Sequence, residues 1–230
     1  MSWAAEEFKG VDLGDERLNE RAVLLAERLG SQPTESIPNA CHGWAETQAA
    51  YRFLRNPKAD WQALLAGHWE ATAERMRAHA VVLNIQDTTE LDFNGRQTRG
   101  LGPLSYESQR GMYLHPTYAV SPAREPLGIV DAWMWAREPK GADGTRAGLK
   151  ESRRWIEGYE RVAERALELP QTRQVYVADR EACQDPAGCA WRCCGMPGAL
   201  GCTLSCALVF RWIAMLAFLP AFLRMPLAML

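Results

Sequence analysis

The chain has 230 residues, of which 47% are hydrophobic and 23% are charged. This is the balance of an ordinary globular protein and excludes a disordered or fibrous chain. The formal net charge of −2 gives no sign of the basic surface that nucleic-acid-binding domains commonly show. The first ten residues include Glu6 and Glu7 and contain no apolar core, so they do not resemble a signal peptide, and we expect a cytoplasmic protein.

The first third of the sequence predicts short helices. Apolar residues recur at helical spacing over residues 18–29, with Asp12 or Asp15 as the N-cap and Gly30 as the stop. Residues 44–55 predict a second helix, which ends before Pro57.

Two further expectations concern this helical region. Within the second helix, Trp44 and Tyr51 are expected to face the core, with a role in stacking on DNA bases as the alternative. Asp60 is expected to cap a third helix, whose apolar face extends over residues 61–76.

From residue 80 the pattern changes to strands. Residues 81–87 (VVLNIQD) form a short, mostly apolar run that predicts a buried strand, and residues 112–120 and 127–135 predict two more. Residues 150–169 predict a long amphipathic helix, and residues 173–179 (RQVYVAD) predict a fourth strand. This order of elements, with an acidic residue ending the first and fourth strands, predicts the opening of a ribonuclease-H-like α/β fold.

The two acidic residues that end these strands are Asp87 and Asp179. Burying a carboxylate is costly unless it is paired or binds a cation. If the two strands are parallel neighbours, both carboxylates project from one sheet edge, where their oxygens could hold Mg²⁺ or Mn²⁺. Such metal ions activate a water or a 3′-hydroxyl in phosphoryl transfer. The spacing alone leaves open that each Asp is only a turn former or a helix cap.

Several motifs carry a resemblance to a known family. The chain contains, in this order, GWAETQAAYRFL, IQDTTELDF, GLGPL, GMYLHPTYAV and VADREA, with DLGDERLNERAVLLAERL near its start. Together they resemble the bacterial insertion-sequence transposases of the group that includes the transposon-five enzyme. The resemblance extends from about Trp3 to Ala182.

The resemblance implies two domains and a function. Residues 1–79 would be a helical module that binds double-stranded DNA at the transposon ends, and residues 80–182 would be the first part of a ribonuclease-H-like catalytic domain. In that family an Asp-Asp-Glu triad binds the metal, cleaves the transposon end and transfers the strand into target DNA. Asp87 in IQDTTELDF matches the first Asp, and Asp179 in ADREA matches the second.

Residues near these motifs give further candidates for binding DNA. Thr88, Thr89 and Arg180 flank the carboxylates and are expected to contact DNA phosphate or to order the site. Arg52, Arg55 and Lys58 lie near one end of the second helix and are expected to contact phosphates. The alternatives are local capping and surface pairing for the residues beside the carboxylates, and a solvated charged face for the three basic residues of the second helix.

Two other residues are candidates for the acidic site. His115 in LHPT is expected to be a hydrogen-bonded structural histidine, although a place near the site is the alternative. Glu181 adjoins Asp179, where it is a poor substitute for the family's Glu.

The composition breaks after Ala182. Of the 26 basic and 28 acidic side chains, only four follow this point, and six of the seven cysteines lie in residues 183–206. Residues 183–230 are therefore expected to be an aberrant, out-of-frame tail. Their irregular cysteine spacing does not indicate zinc, and their charge-free stretch over residues 212–223 is too short for a membrane helix.

Nothing after Ala182 matches the family's Glu, so catalysis is expected to be incomplete in this chain. One alternative is a truncated DNA-binding or inhibitory product that forms a homodimer or pairs with the full-length enzyme. Another alternative is a different metal-dependent nuclease on the same fold.

Overall fold

The computed structural model describes residues 2–94, 99–148 and 150–178. These residues form two compact units, the first ending at Ala71 and the second beginning at Thr72. The predicted site residues Asp179 and Arg180, and the predicted tail over residues 183–230, lie outside the described residues.

The first unit is helical. Its helices are α1 (Trp3–Glu7), α2 (Glu16–Ser31), α3 (Ile37–Ala40), α4 (Trp44–Leu54) and α5 (Trp61–Arg77), and the division between the units falls within α5. The core of this unit is built from small and aliphatic side chains of all five helices, including Ala22, Leu25, Ile37, Ala50 and Leu64.

Side-chain caps fix where the long helices begin. The Asp15 carboxylate accepts a hydrogen bond from the backbone N–H of Arg17 (3.0 Å), and the predicted cap of α2 is confirmed. The predicted stop at Gly30 is wrong by one residue, because α2 continues to Ser31. Asp60 accepts hydrogen bonds from the first turn of α5, as predicted.

The burial of α4 differs from the prediction. Its buried positions are Thr47, Ala50, Phe53 and Leu54. The expectation that Trp44 and Tyr51 face the core is wrong, since these side chains are 75% and 39% exposed. The inner face is formed by these four residues, and the rings of Trp44 and Tyr51 lie about a quarter turn away from it.

The second unit is a mixed α/β structure, which follows the helical unit as predicted. Its strands are β1 (Val81–Gln86), β2 (Thr89–Asp92), β3 (Gly102–Pro103), β4 (Arg110–Val120), β5 (Pro126–Trp135) and β6 (Arg173–Val177), and its helix is α6 (Ser152–Glu168). The predicted strands and the long helix are confirmed, whereas β2 and β3 were not predicted.

The sheet is organised around β4. One edge of β4 pairs antiparallel with β1 and β2, and its other edge pairs antiparallel with β5 and β3. On the far side of β1, β6 pairs with it in parallel, with Ile85 opposite Val177. The chain passes from β5 through α6 to β6, so the helix provides the long connection that parallel strands require.

One face of the sheet packs against α6. Gly158 of α6 lies directly against Gln86 of β1, close enough that a methyl group at this position would overlap the Gln86 amide. His115 of β4 packs edge-to-face against Trp155 of α6, with ring centroids 4.4 Å apart. In the described part of the chain, no helix has the length and apolarity needed to cross a membrane.

Candidate functional site

The first candidate site is the exposed side of α4, which we term the α4 outer face. It consists of Trp44, Gln48, Tyr51, Arg52 and Arg55, all of which are exposed. Neighbouring members are three or four residues apart along the chain or share a turn, so they lie on one side of the helix. The Arg52 guanidinium donates a hydrogen bond to the Gln48 side-chain oxygen at 3.1 Å.

The charges at the end of α4 are unbalanced. Arg52, Arg55 and Lys58 form no ion pair with any residue that the structure describes. The acidic residue of the helix, Glu46, is 2.6 Å from the Arg28 guanidinium. This hydrogen bond lowers the pKa of Glu46 and pairs its negative charge with the positive charge of Arg28. The end of α4 and the turn that follows it therefore carry local positive charge.

The sequence placed the three basic residues at one end of α4, and the structure agrees. It did not reveal that Trp44 belongs to the same exposed face. One signal was available: Thr47, Ala50, Phe53 and Leu54 form an alternative apolar stripe at helical spacing, and that stripe excludes Trp44.

The second candidate site is the carboxyl edge of β1 and β6. The two strands are parallel neighbours, as the predicted pair of carboxylates requires. Asp87 follows the last residue of β1 at this edge and is half-buried. Its predicted partner Asp179 lies outside the described residues, so the pairing of the two carboxylates stays a prediction.

Asp87 and Thr88 are connected to the interior of the sheet. The backbone N–H of Thr88 donates to Asp87 Oδ1 at 2.8 Å. The Thr88 hydroxyl lies 2.5 Å from His115 Nδ1. The predicted contact between Thr88 and DNA thus stays a prediction, and the structure gives its hydroxyl a partner within the protein.

His115 is buried, with only 1% of its surface exposed, and the expectation of a hydrogen-bonded structural histidine is confirmed. Burial lowers the pKa of His115 to about 4, and the nearby positive charge of Arg154 acts in the same direction. The imidazole is therefore neutral at pH 7. The Thr88 contacts also bring His115 close to Asp87, and the metal site at that edge stays a prediction.

The sheet face beneath α6 is polar for a protein interior. Gln86, Thr117 and Asp131 lie opposite one another on β1, β4 and β5 and are all buried. The Gln86 side-chain oxygen accepts a hydrogen bond from the Tyr176 hydroxyl. Burial raises the pKa of Asp131, and the Arg161 guanidinium 3.5 Å away opposes this shift.

The carboxylate at the edge after β1 fits a hard divalent cation. Asp87 offers oxygen atoms, which Mg²⁺ and Mn²⁺ prefer, whereas the Thr88 hydroxyl is already in contact with His115. Within residues 2–94, 99–148 and 150–178, no three His, Cys, Asp or Glu side chains are clustered to hold a metal. A complete ligand set would have to include residues outside this range, such as Asp179.

Comparison with known proteins bears on the helical unit. Residues 1–59 match the family model described as transposase DNA-binding. The match includes α1 to α4 and the turn that contains Lys58, so it contains the whole α4 outer face. The helical part of the chain is thus similar to a transposase DNA-binding domain, which supports a transposase-related role in binding DNA.

Proposed function

We propose that this chain is a DNA transposase of the transposon-five-like group, whose helical unit binds the transposon ends through the α4 outer face. The observation that carries the proposal is the match of residues 1–59 to transposase DNA-binding domains. The unpaired positive charge at the end of α4 adds support.

Arg52, Arg55 and Lys58 would neutralise phosphates along one strand of the duplex. Trp44, which is 75% exposed at the other end of the face, offers an aromatic surface to a sugar or a base edge. Residues 1–59 contain nine acidic and seven basic side chains. The binding energy must therefore come from local contacts on this face and not from the overall field of the unit.

Replacing Arg52 and Arg55 together by Ala should weaken binding to the element's terminal repeats about tenfold. The slope of log affinity against log salt concentration should also become smaller by about two, because each phosphate contact releases a counterion. The measurement is a fluorescence-anisotropy titration of the full chain at several salt concentrations, with a random duplex as competitor.

The matched control removes two exposed positive charges elsewhere in the same unit, as Lys9→Ala with Arg17→Ala. This pair should change the affinity by less than half as much. Equal losses from both pairs would show that binding depends on net charge alone, and equal affinity of the unaltered chain for terminal repeats and random duplex would exclude end recognition.

For the second unit we propose the first part of a ribonuclease-H-like catalytic domain. Two features support this: the strand order β5-β4-β1-β6, and the parallel pairing of β1 with β6 after the α6 connection. Ile85 lies opposite Val177, and Asp87 and Asp179 each follow two positions later in the sequence.

Asp87 and Asp179 would be the residues that hold Mg²⁺ or Mn²⁺ in this domain. The cation supplies charge stabilisation for phosphoryl transfer when it is bound. The chain's own part is to present the Asp87 carboxylate at the sheet edge in one orientation, which the hydrogen bond from the Thr88 N–H favours. Arg180 would then contact the DNA phosphate beside the carboxylates.

Asp87→Asn should weaken Mn²⁺ binding by at least about tenfold, because it removes a charged oxygen donor. Electron paramagnetic resonance of free Mn²⁺ in a titration of the full chain gives the affinity. Asp92→Asn is the control, since Asp92 is an exposed carboxylate on β2. If both substitutions have the same effect, the assignment of Asp87 as a ligand is wrong.

We further propose that residues 183–230 are out of frame, because their composition departs from that of the preceding chain. None of these residues would then supply the third carboxylate of the triad, and residues 1–230 would bind transposon ends without cutting them. Such a product would act on DNA in the bacterial cytoplasm, at the nucleoid. It could inhibit the full-length enzyme by occupying the transposon ends or by pairing with that enzyme.

A further inference from the structure

Two hydrogen bonds join a buried histidine to the proposed metal ligand. The Thr88 hydroxyl is 2.5 Å from His115 Nδ1, and the Thr88 backbone N–H donates to Asp87 Oδ1 at 2.8 Å. His115 and Thr88 are 27 positions apart in the sequence, so this connection is made by the pairing of the strands and not by a local turn.

The His115 ring is closely packed. It is 1% exposed, and at this position β4 pairs with β5, with Trp133 opposite His115. Its ring is perpendicular to that of Trp155, with centroids 4.4 Å apart, and lies 6.2 Å from that of Trp135. A ring held in this way can fix the hydroxyl that it contacts.

Burying an imidazole in this space has a cost in folding free energy that an aliphatic side chain would not have. His115 Nε2 is buried and has no hydrogen-bond partner among the described residues. An aliphatic side chain would fill the volume without leaving a polar atom unsatisfied. The polar contact that His115 does make, through Nδ1, is directed to the residue beside Asp87.

We infer that His115 is a positioning residue for Asp87, acting through Thr88. The inference rests on the proposed function of Asp87 as a metal ligand. His115 holds the Thr88 hydroxyl, and the fixed Thr88 backbone then presents its N–H to Asp87 Oδ1, which keeps the carboxylate in one orientation for a divalent cation. Outer contacts of this kind orient ligands in metal sites generally.

The protonation state of His115 suits this role. Burial and the charge of Arg154 lower its pKa, and the ring is neutral at pH 7. A neutral ring contributes a hydrogen bond without adding positive charge beside the proposed cation site.

Four variants of the full chain test the inference. His115→Leu and Thr88→Val remove the contact and keep the approximate volume, whereas His115→Asn and Thr88→Ser keep a polar group in its place. The first two should each weaken Mn²⁺ binding by about fivefold, and the last two by less than about twofold. The double variant His115→Leu with Thr88→Val should bind about as well as either single variant, because both remove the same connection.

A second readout needs no metal. Amide hydrogen exchange at Thr88 reports on the bond from its N–H to Asp87, and it should be faster in His115→Leu and in Thr88→Val than in the unaltered chain. A purely structural role for His115 would lower the unfolding midpoint without a selective change at this amide. Should His115→Leu fail to fold, Thr88→Val and Thr88→Ser give the same comparison.

The outcomes separate the inference from the function on which it rests. If Asp87→Asn abolishes Mn²⁺ binding while His115→Leu and Thr88→Val bind normally, the positioning role is wrong and the metal ligand stands. If Mn²⁺ binding does not depend on Asp87, the proposed metal site is wrong and the positioning role is overturned with it.

Discussion

Replacing Gly158 by Ala should destabilise the second unit by about 2–3 kcal/mol, the upper part of the range for overpacking a core. In an exposed helix the same change stabilises by about 1 kcal/mol. The sign reverses here because the new Cβ would overlap the side-chain amide of Gln86. The helix α6 can approach β1 this closely only because position 158 has no side chain.

The Gln86 amide cannot easily move to make room. It is 2% exposed, and its oxygen accepts a hydrogen bond from the Tyr176 hydroxyl. Rotating the amide away would break that bond inside a closed interior, where an unsatisfied polar group is costly. The strain must therefore be relieved by moving α6 away from the sheet, which loosens the packing of Trp155 on His115.

Urea unfolding followed by tryptophan fluorescence measures this effect, since the second unit contains Trp133, Trp135 and Trp155. The decisive comparison is a double-mutant cycle with Gln86→Ala. In the Gln86→Ala background the amide is gone, and Gly158→Ala should cost less than about 1 kcal/mol. An equal cost in both backgrounds would show that contact with Gln86 is not what requires glycine at this position.

The elements that the sequence predicted are those whose pattern is local. The helices α2, α4 and α5 and the strands β1, β4, β5 and β6 each have enough residues for a period or an apolar run to be visible. The strands β2 and β3 have four and two residues, and they exist because they pair with distant residues of β4. No pattern within so few residues distinguishes a strand from a loop.

The candidate site after β1 likewise has one part that the sequence could predict and one part that it could not. The end of β1 at Asp87, and the parallel partner β6, could be predicted because a strand–helix–strand sequence favours parallel pairing. The contact of Thr88 with His115 could not be predicted from the sequence, because it depends on the strand register that places Gln86 opposite Thr117. A shift of that register by one residue would turn His115 to the other face of the sheet.

As the pH falls from 6.5 to 4, His115 should lower the stability of the second unit by about 3 kcal/mol, since one pKa unit corresponds to about 1.4 kcal/mol. The pKa of His115 is lowered by burial from its ordinary value of 6.5 to about 4. Above pH 6.5 the ring is neutral in the folded and in the unfolded chain, so His115 causes no loss of stability there. Between pH 6.5 and 4 the unfolded chain binds a proton that the folded chain excludes, so the folded state becomes relatively less stable.

Other groups titrate over the same range, and they do not all act in the same direction. Burial raises the pKa of Asp131, against the effect of Arg161, so protonation of this carboxyl favours the folded state as the pH falls. The total pH dependence therefore mixes opposing contributions. The difference between the unaltered chain and a variant without His115 isolates the histidine, because the carboxyl groups are common to both.

The measurement is the free energy of unfolding in urea at pH 7, 6, 5 and 4 for the unaltered chain, His115→Leu and His115→Asn. The stability difference between the unaltered chain and each variant should shift by about 3 kcal/mol towards the variant between pH 7 and pH 4. His115→Asn keeps a polar group near Thr88 but cannot titrate, so it should behave like His115→Leu in this experiment although the two differ in Mn²⁺ binding. Parallel pH profiles for all three proteins would mean that His115 is protonated in the folded state as readily as in the unfolded chain, and the buried neutral imidazole would then be wrong.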